Sequence, residues 1–267
     1  MNSDFFTPMP KVVAHRGDSA HYPENTLLAF TSAVSMQVDV IETDVHLSKD
    51  GEVVIWHDPT LDRNTDGSGR IEDHTLAELK GYDAGYTFTL DEGKTFPFRG
   101  KNIQLCTLVE ALDCCPDQRF NVDLKTKSPQ IVKAFIDIVR SHNAYNRIVA
   151  ASFHLSNLKL LRELDPMIQT SITTVEVLPL LARQKLHMLP KNLKTKVIFQ
   201  VPVRQWGVEV VTPSFVKMMH DRDAIIQVWT INEEEEMERL YRMGVDSVMT
   251  DKPALAIKVA KRLGLRS

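Results

Sequence analysis

The chain has 267 residues, of which 43% are apolar and 25% charged, enough for a substantial core and within the range of one barrel domain. Its net charge of -3, with no long basic run among 32 Lys and Arg, gives no electrostatic reason to expect nucleic acid as a partner. No apolar stretch approaches the roughly 18 residues of a membrane span, and residues 1–10 lack the basic start and apolar core of a signal peptide. We therefore expect a cytoplasmic protein without stable membrane insertion. Its three cysteines, Cys106, Cys114 and Cys115, are expected as reduced thiols, since adjacent cysteines bridge only with strain and no CxxC spacing is present.

In chain order, Lys11–Ala14 reads as a buried first strand and Glu24–Met36 has the apolar spacing of an amphipathic helix. Val40–Leu47 alternates in side-chain character and is followed, across Ser48-Lys49-Asp50-Gly51-Glu52, by the apolar run Val53–Trp56. An Asp-Gly pair between two such runs signals a hairpin with a type I′ turn. That turn would place Leu47 opposite Val54 and Asp44 opposite His57. Glu42 and Asp44 share a face because strand side chains repeat every two residues.

Further strands are expected at Phe120–Leu124, Arg147–Ser152, Thr170–Val175, Val197–Val201, Ile225–Ile231 and Ser247–Thr250. Pro129 suits the first turn of a helix over Ile131–Arg140. Asn232 is expected to cap the helix begun by Glu233–Glu236, and Gly244 to end it. Eight strands alternating with helices predict an α/β fold of the (β/α)₈ TIM-barrel class. A doubly wound sheet would also hold eight strands, but no GxGxxG follows the first of them. The interval 59–104, rich in Asp, Gly and Thr, breaks the rhythm. It is expected as an insertion on the catalytic rim, after the hairpin of the second βα unit, carrying one short helix at Leu76–Leu79 within a single domain spanning residues 1–267.

The C-terminal ends of barrel strands are where active sites collect, and the chemistry-bearing residues fall there. His15-Arg16 ends the first strand, Glu42 and Asp44 the second, and Asp123 and Lys125 the third. Each group alone has a structural explanation: an Asp-Lys pair can be a buried ion pair, and acids are usually solvated. Around one mouth they are harder to explain so. Three carboxylates, Glu42, Asp44 and Asp123, repel one another unless a cation neutralises them, and all-oxygen ligation suits Mg²⁺ or Ca²⁺. Arg16 and Lys125 add donors whose natural joint target is a phosphate. His15 and His57 supply imidazoles able to exchange a proton near neutral pH. Together these predict a metal-dependent phosphoester hydrolase.

The motifs His15-Arg16-Gly17, Glu24-Asn25-Thr26, Ile41–Val45, Lys49-Asp50-Gly51 and His57-Asp58 resemble the glycerophosphodiester phosphodiesterase family in order and spacing. So do Leu61-Asp62-Arg63, Thr65–Gly69, Asp83-Ala84-Gly85, Asn121–Lys125, Ser152-Phe153, Trp229–Asn232 and Thr250-Asp251. The resemblance implies a barrel with an insertion between the second and third units. It also implies hydrolysis of small glycerophosphodiesters, such as glycerophosphocholine or glycerophosphoethanolamine, to glycerol 3-phosphate and an alcohol. It implies further that His15 and His57 are the acid-base pair, that Glu42, Asp44 and Asp123 hold the cation, and that Arg16 and Lys125 bind phosphate. Glu24 and Asn25 would orient the first loop and line the site, and Trp229 would pack against glycerol or the departing alcohol.

Two positions depart from the family pattern. Asp123 stands where Glu is common, one methylene shorter, and Cys106 replaces a Pro, which is expected to be silent. His46 shares the face of Asp44 but is assigned to packing; His74, His142, His154, His187 and His220 are assigned to the surface or to satisfied core positions, while His21 sits in the first loop as a candidate neighbour of substrate. Two rivals are weighed. A lysophospholipase D would use an apolar groove formed by Tyr86, Phe88, Phe96 and Phe98, which we instead expect to form a small core of the insertion. A non-catalytic phosphodiester-binding barrel is disfavoured because both histidines and all three carboxylates are present. A homo-oligomer remains open.

Overall fold

The computed structural model describes residues 5–173, 175–176, 197–205 and 207–266. Its strands are β1 Val12–His15, β2 Val40–Leu47, β3 Val53–Ile55, β4 Cys106–Thr107, β5 Arg119–Leu124 and β6 Ile148–Ala151. These are followed by β7 Gln169–Thr170, β8 Ile198–Pro202, β9 Arg204–Gln205, β10 Val208–Glu209, β11 Ile225–Trp229 and β12 Ser247–Thr250. Eight of them run parallel in the order β7-β6-β5-β2-β1-β12-β11-β8. The two ends approach one another where Ile172 N donates to Ile198 O at 3.1 Å, so the sheet is a nearly closed barrel, as expected. Strands covered on both faces read as continuous apolar runs, and β1, β2, β5 and β6 are buried along almost their whole length.

Helices alternate with these strands and pack their apolar stripes on the barrel's outside. They include Leu27–Ser35, Leu108–Cys114, Pro129–Ser141, Leu155–Leu164, Pro213–His220, Glu234–Met243 and Pro253–Arg262. Pro129 stands at the first position of its helix behind an N-cap Ser128, and Gly244 closes the helix Glu234–Met243 in the left-handed region at φ 98°, both as predicted. Inside, the barrel floor is packed with Val13, Val40, Val149, Ile198, Ile225 and Met249, and Phe5 and Phe6 plug it from below. Arg119 holds that plug by donating to the carbonyls of Phe5 at 2.7 Å and Pro8 at 2.9 Å.

Four expectations need correction. The first helix begins at Leu27, not Glu24, because Asn25 sits at φ 58° and Thr26 is its N-cap, with Oγ1 accepting from Ala29 N. Glu233, not Asn232, occupies the N-cap of the helix Glu234–Met243, and the Asn232 side chain is used elsewhere. The strand expected at Thr170–Val175 exists only as Gln169–Thr170, and Thr174 of that range lies outside the described residues. The hairpin forms, but with a three-residue loop. Ser48 N donates to Glu52 O at 2.9 Å and Gly51 N to Ser48 O at 3.1 Å, with Gly51 at φ 92°, the pattern of a type I turn closed by a G1 bulge. One extra loop residue shifts the register by one. Leu47 therefore pairs with Val53, and Asp44 lies opposite Trp56, not His57.

Between β3 and β4 the chain makes a 3₁₀ turn, Ile71–Asp73, and the short helix Leu76–Leu79 with a Thr75–Glu78 capping box. This stretch packs an apolar cluster of its own from Trp56, Leu61, Ile71, Leu79, Ala84 and Leu105 against Val54. Tyr86, Phe88, Phe96 and Phe98, expected to form this core, stand outside it, with Tyr86 exposed. The Arg99 guanidinium lies 4.2 Å from the Tyr86 ring centroid and 3.7 Å from that of Phe96, while Phe98 packs edgewise on Phe88.

Candidate active site

Strand register builds the site in two layers at the carboxyl ends of the strands. His15 pairs with Glu42 and Glu42 with Asn121; two residues further along, Asp44 pairs with Asp123 and Asp123 with Ala151. These side chains, with Arg16, Lys125, His57 and Trp229, line a cavity of about 180 Å³. Chain direction at its edge is set by two successive left-handed residues, Arg16 at φ 58° and Gly17 at φ 84°. A Cβ on Gly17 would lie 2.8 Å from the Ala29 backbone, so only glycine permits the first loop to turn this tightly against the helix.

Each histidine is held by a carboxylate. His15 Nδ1 donates to Asp251 Oδ1 at 2.6 Å, and Asp251 is itself fixed by Ser19 Oγ and by Asn232 Nδ2 at 2.6 Å. His57 Nδ1 donates to Asp58 Oδ1 at 2.6 Å, and Arg63 Nε donates to Asp58 Oδ2 at 2.5 Å. Both imidazoles thus keep Nε2 for the cavity, and a carboxylate on Nδ1 fixes tautomer and ring orientation. Burial works against a charged His15, but the Asp251 hydrogen bond and the nearby Glu42 charge outweigh it and raise its pKa. Asp58 is held down to about 2, its Arg63 and His57 hydrogen bonds overcoming burial.

The charged floor of the site alternates in sign. Lys125 Nζ lies 2.9 Å from Asp44 Oδ1 and 2.7 Å from Asp123 Oδ2. Arg16 reaches Glu24 at 2.9 Å and Asp44 at 3.3 Å. Burial opposes ionisation of all three carboxylates. At Asp44 the Lys125 and Arg16 charges prevail and lower the pKa; at Glu42 burial and the Asp44 charge push it up to about 7. Asp123 is raised as well, chiefly by burial. Asp123 Oδ1 and Asn121 Oδ1 are buried without a hydrogen-bond partner, and unpaired acceptors at the edge of a cavity are what a cation or substrate donor would satisfy. Among the described residues no three acids or imidazoles converge tightly enough to hold a metal as they stand.

The expected site residues are placed unequally. His15, His57, Arg16, Lys125, Glu42, Asp44, Asp123 and Trp229 share the cavity, while Glu24 and Asn25 stand behind it. Glu24 accepts from Arg16 and Arg63; Asn25, fully buried, donates to Asp44 at 3.0 Å and accepts from Thr43 at 2.8 Å. They orient the first loop rather than touch the cavity. Cys106 is buried with Sγ 3.7 Å from the Asn25 carbonyl. His46 has a use beyond packing, since its Nε2 donates to the His57 carbonyl at 3.1 Å. His187 lies outside the described residues. Sequence reasoning did not assign Asp58, Asp251 and Arg63, although all three sit in the motifs His57-Asp58, Thr250-Asp251 and Leu61-Asp62-Arg63; an acid directly after a strand-end histidine was the available signal for Asp58 alone.

Residues 15–255 match the model of the glycerophosphoryl diester phosphodiesterase family. A glycerophosphodiester phosphodiesterase of Caldanaerobacter subterraneus subsp. tengcongensis is 32% identical over 262 residues, covering 95% of this chain and 98% of that protein. The glycerophosphoryl diester phosphodiesterase domain of a Mycobacterium tuberculosis protein superposes with a TM-score of 0.83 at 21% identity, covering 95% of this chain and 99% of that one. An Oleispira antarctica phosphodiesterase, solved with its product sn-glycerol-3-phosphate, gives 0.73 at 26% identity, covering 97% and 100%.

Proposed function

The chain belongs to the glycerophosphoryl diester phosphodiesterase family, and from that premise we propose that it hydrolyses small glycerophosphodiesters to glycerol 3-phosphate and an alcohol with His15 and His57 as general acid and base. The observation that carries this reading is the matched pair of Asp-tethered imidazoles facing one cavity with Arg16 and Lys125. One imidazole takes the proton of the attacking oxygen and the other gives a proton to the departing alcohol, and each positioned transfer contributes roughly 10²–10⁴-fold. Arg16 and Lys125 bind the non-bridging phosphoryl oxygens, whose negative charge grows in the transition state. Trp229, at the rim, packs against the glycerol or the leaving alcohol.

Glu42, Asp44 and Asp123 would hold a divalent cation, Mg²⁺ or Ca²⁺. Their chemistry fits it: three buried carboxylates, an unpartnered Asp123 Oδ1 and the neighbouring Asn121 Oδ1 form an all-oxygen set for a hard ion. When bound, such an ion neutralises these acids and adds positive charge beside the phosphate. We place the enzyme in the cytoplasm; among the described residues no helix is long and apolar enough to cross a membrane. Tyr86 and Phe96 are engaged with the Arg99 guanidinium, which favours a small diester over a substrate that keeps an acyl chain.

The test is release of glycerol 3-phosphate from glycerophosphocholine and glycerophosphoethanolamine with Mg²⁺, Ca²⁺ or excess EDTA. Turnover should vanish with EDTA, and His15→Ala and His57→Ala should each lower kcat by about 10²–10⁴-fold. Turnover that survives EDTA would remove the cation from the proposal; a folded, metal-supplied protein inactive on both diesters would overturn the substrate assignment.

A further inference from the structure

The ion pairs around the mouth form a continuous chain that leaves the cavity at Arg16 and returns to it at His57. Arg16 Nη1 donates to Glu24 Oε1 at 2.9 Å. Glu24 in turn accepts from Arg63, with Nη2 at 2.7 Å from Oε1 and Nη1 at 3.3 Å from Oε2. Arg63 also grips Asp58 with two nitrogens, Nε at 2.5 Å from Oδ2 and Nη2 at 3.2 Å from Oδ1, and Asp58 Oδ1 holds His57 Nδ1. One guanidinium therefore meets two carboxylates in fork geometry, an arrangement that lysine cannot reproduce. Arg63 lies on the segment between β3 and β4 and does not line the cavity. Any effect it has on the reaction passes through its partners.

The two ends of this chain do not depend on Arg63 equally. Without it, Arg16 keeps both Glu24 and Asp44. Asp58 would keep only its histidine, because Arg63 and His57 are its side-chain partners among the described residues. The Asp58 side chain is 24% exposed, so a carboxylate released on one side can rotate toward water and take the imidazole's Nδ1 restraint with it. We propose that Arg63 is a positioning residue that locks Asp58 against His57 and so fixes the tautomer and direction of that imidazole. This rests on the assignment of His57 to proton transfer. The Arg63 backbone carbonyl accepts independently from Thr87 Oγ1 at 2.9 Å, so local chain packing does not hang on the guanidinium.

The experiment compares kcat and KM on glycerophosphocholine for wild type, Arg63→Met, Arg63→Lys, Asp58→Asn and the Arg63→Met/Asp58→Asn double variant, with melting temperatures beside them. Partners that orient a metal-ligating imidazole are typically worth roughly 10–100-fold, and we expect the same scale for an imidazole that moves a proton. Arg63→Met should therefore lose that much kcat with KM within about threefold, and Arg63→Lys should recover part of it. The double variant should be no slower than Asp58→Asn alone, because both changes break one path. Losses that multiply in the double variant, a rise in KM alone, or an unchanged kcat in Arg63→Met would overturn the proposal. A readout independent of turnover is the ¹⁵N spectrum of His57. Wild type should show one tautomer with hydrogen on Nδ1, and Arg63→Met a mixture; a single unchanged tautomer in Arg63→Met would also overturn it. A wild type without turnover would strike the phosphodiesterase assignment instead, and the spectrum would still decide the role of Arg63.

Discussion

Asp251 and Asp58 perform one task from opposite parts of the chain, each fixing the Nδ1 of a histidine whose Nε2 faces the cavity. Their legibility differs for a topological reason. Asp58 follows its histidine directly, whereas Asp251 lies 236 positions from His15 and meets it only because β1 and β12 are neighbours in the barrel. Replacing Asp251 by Asn removes its hydrogen bond and charge from His15 and leaves the burial that lowers the His15 pKa opposed by Glu42 alone. In metal-free protein the His15 ring resonances should then titrate at lower pH in Asp251→Asn than in wild type, and an unmoved midpoint would refute the pairing. The cysteines offer a second residue-scale check. Burial pushes both Cys106 and Cys115 up to about 12, whereas Cys114 is exposed. Ellman's reagent at pH 8 should label one thiol quickly in the native enzyme and three after denaturation, since the thiolate is the reactive form.

At the scale of elements, hydrophobic period located the barrel strands, because a strand buried on both faces leaves an apolar run that loops cannot imitate. Apolar spacing with turn and cap residues placed the helices Leu27–Ser35, Leu76–Leu79, Pro129–Ser141 and Glu234–Met243 but not the other helices between the strands. What they did not give was register. The Asp-Gly signal fits a two-residue I′ turn and a three-residue G1 turn alike, and the choice depends on Ser48 and Glu52 pairing as backbone partners. One helix start slipped for a related reason: Asn232 is a good cap residue by type, but its side chain is spent on an acid of the site, Asp251. Two glycines separate conformational strain from steric conflict. Gly51→Ala meets nothing within 4 Å but keeps a positive φ, so it should cost about 1–2 kcal/mol. Gly17→Ala adds a backbone collision to the same strain and should cost distinctly more while also displacing Arg16. Urea denaturation of the two variants measures the difference, and equal losses would show that the first loop yields freely.

For the molecule as a whole, eight parallel strands with alternating helices announced the barrel, while nothing in the composition showed how its lower end is closed. Phe5 and Phe6 are buried in the floor, and the Phe5 ring also lies 5.7 Å from the Arg119 guanidinium. Phe5→Ala should cost about 3–5 kcal/mol in urea denaturation, with kcat unchanged at temperatures where the variant is folded, since Phe5 does not line the cavity. A loss of kcat without loss of stability would show that floor and mouth are coupled. The same floor gathers both ends of the described chain: Asp39 accepts from the backbone nitrogens of Lys11 and Val12 and pairs with Arg266 at 2.8 Å. Any tether joined to either end, a surface linker or a fused partner, would therefore leave the molecule from beneath and present the open mouth outward, so that an immobilised enzyme would meet its substrate from the unobstructed side.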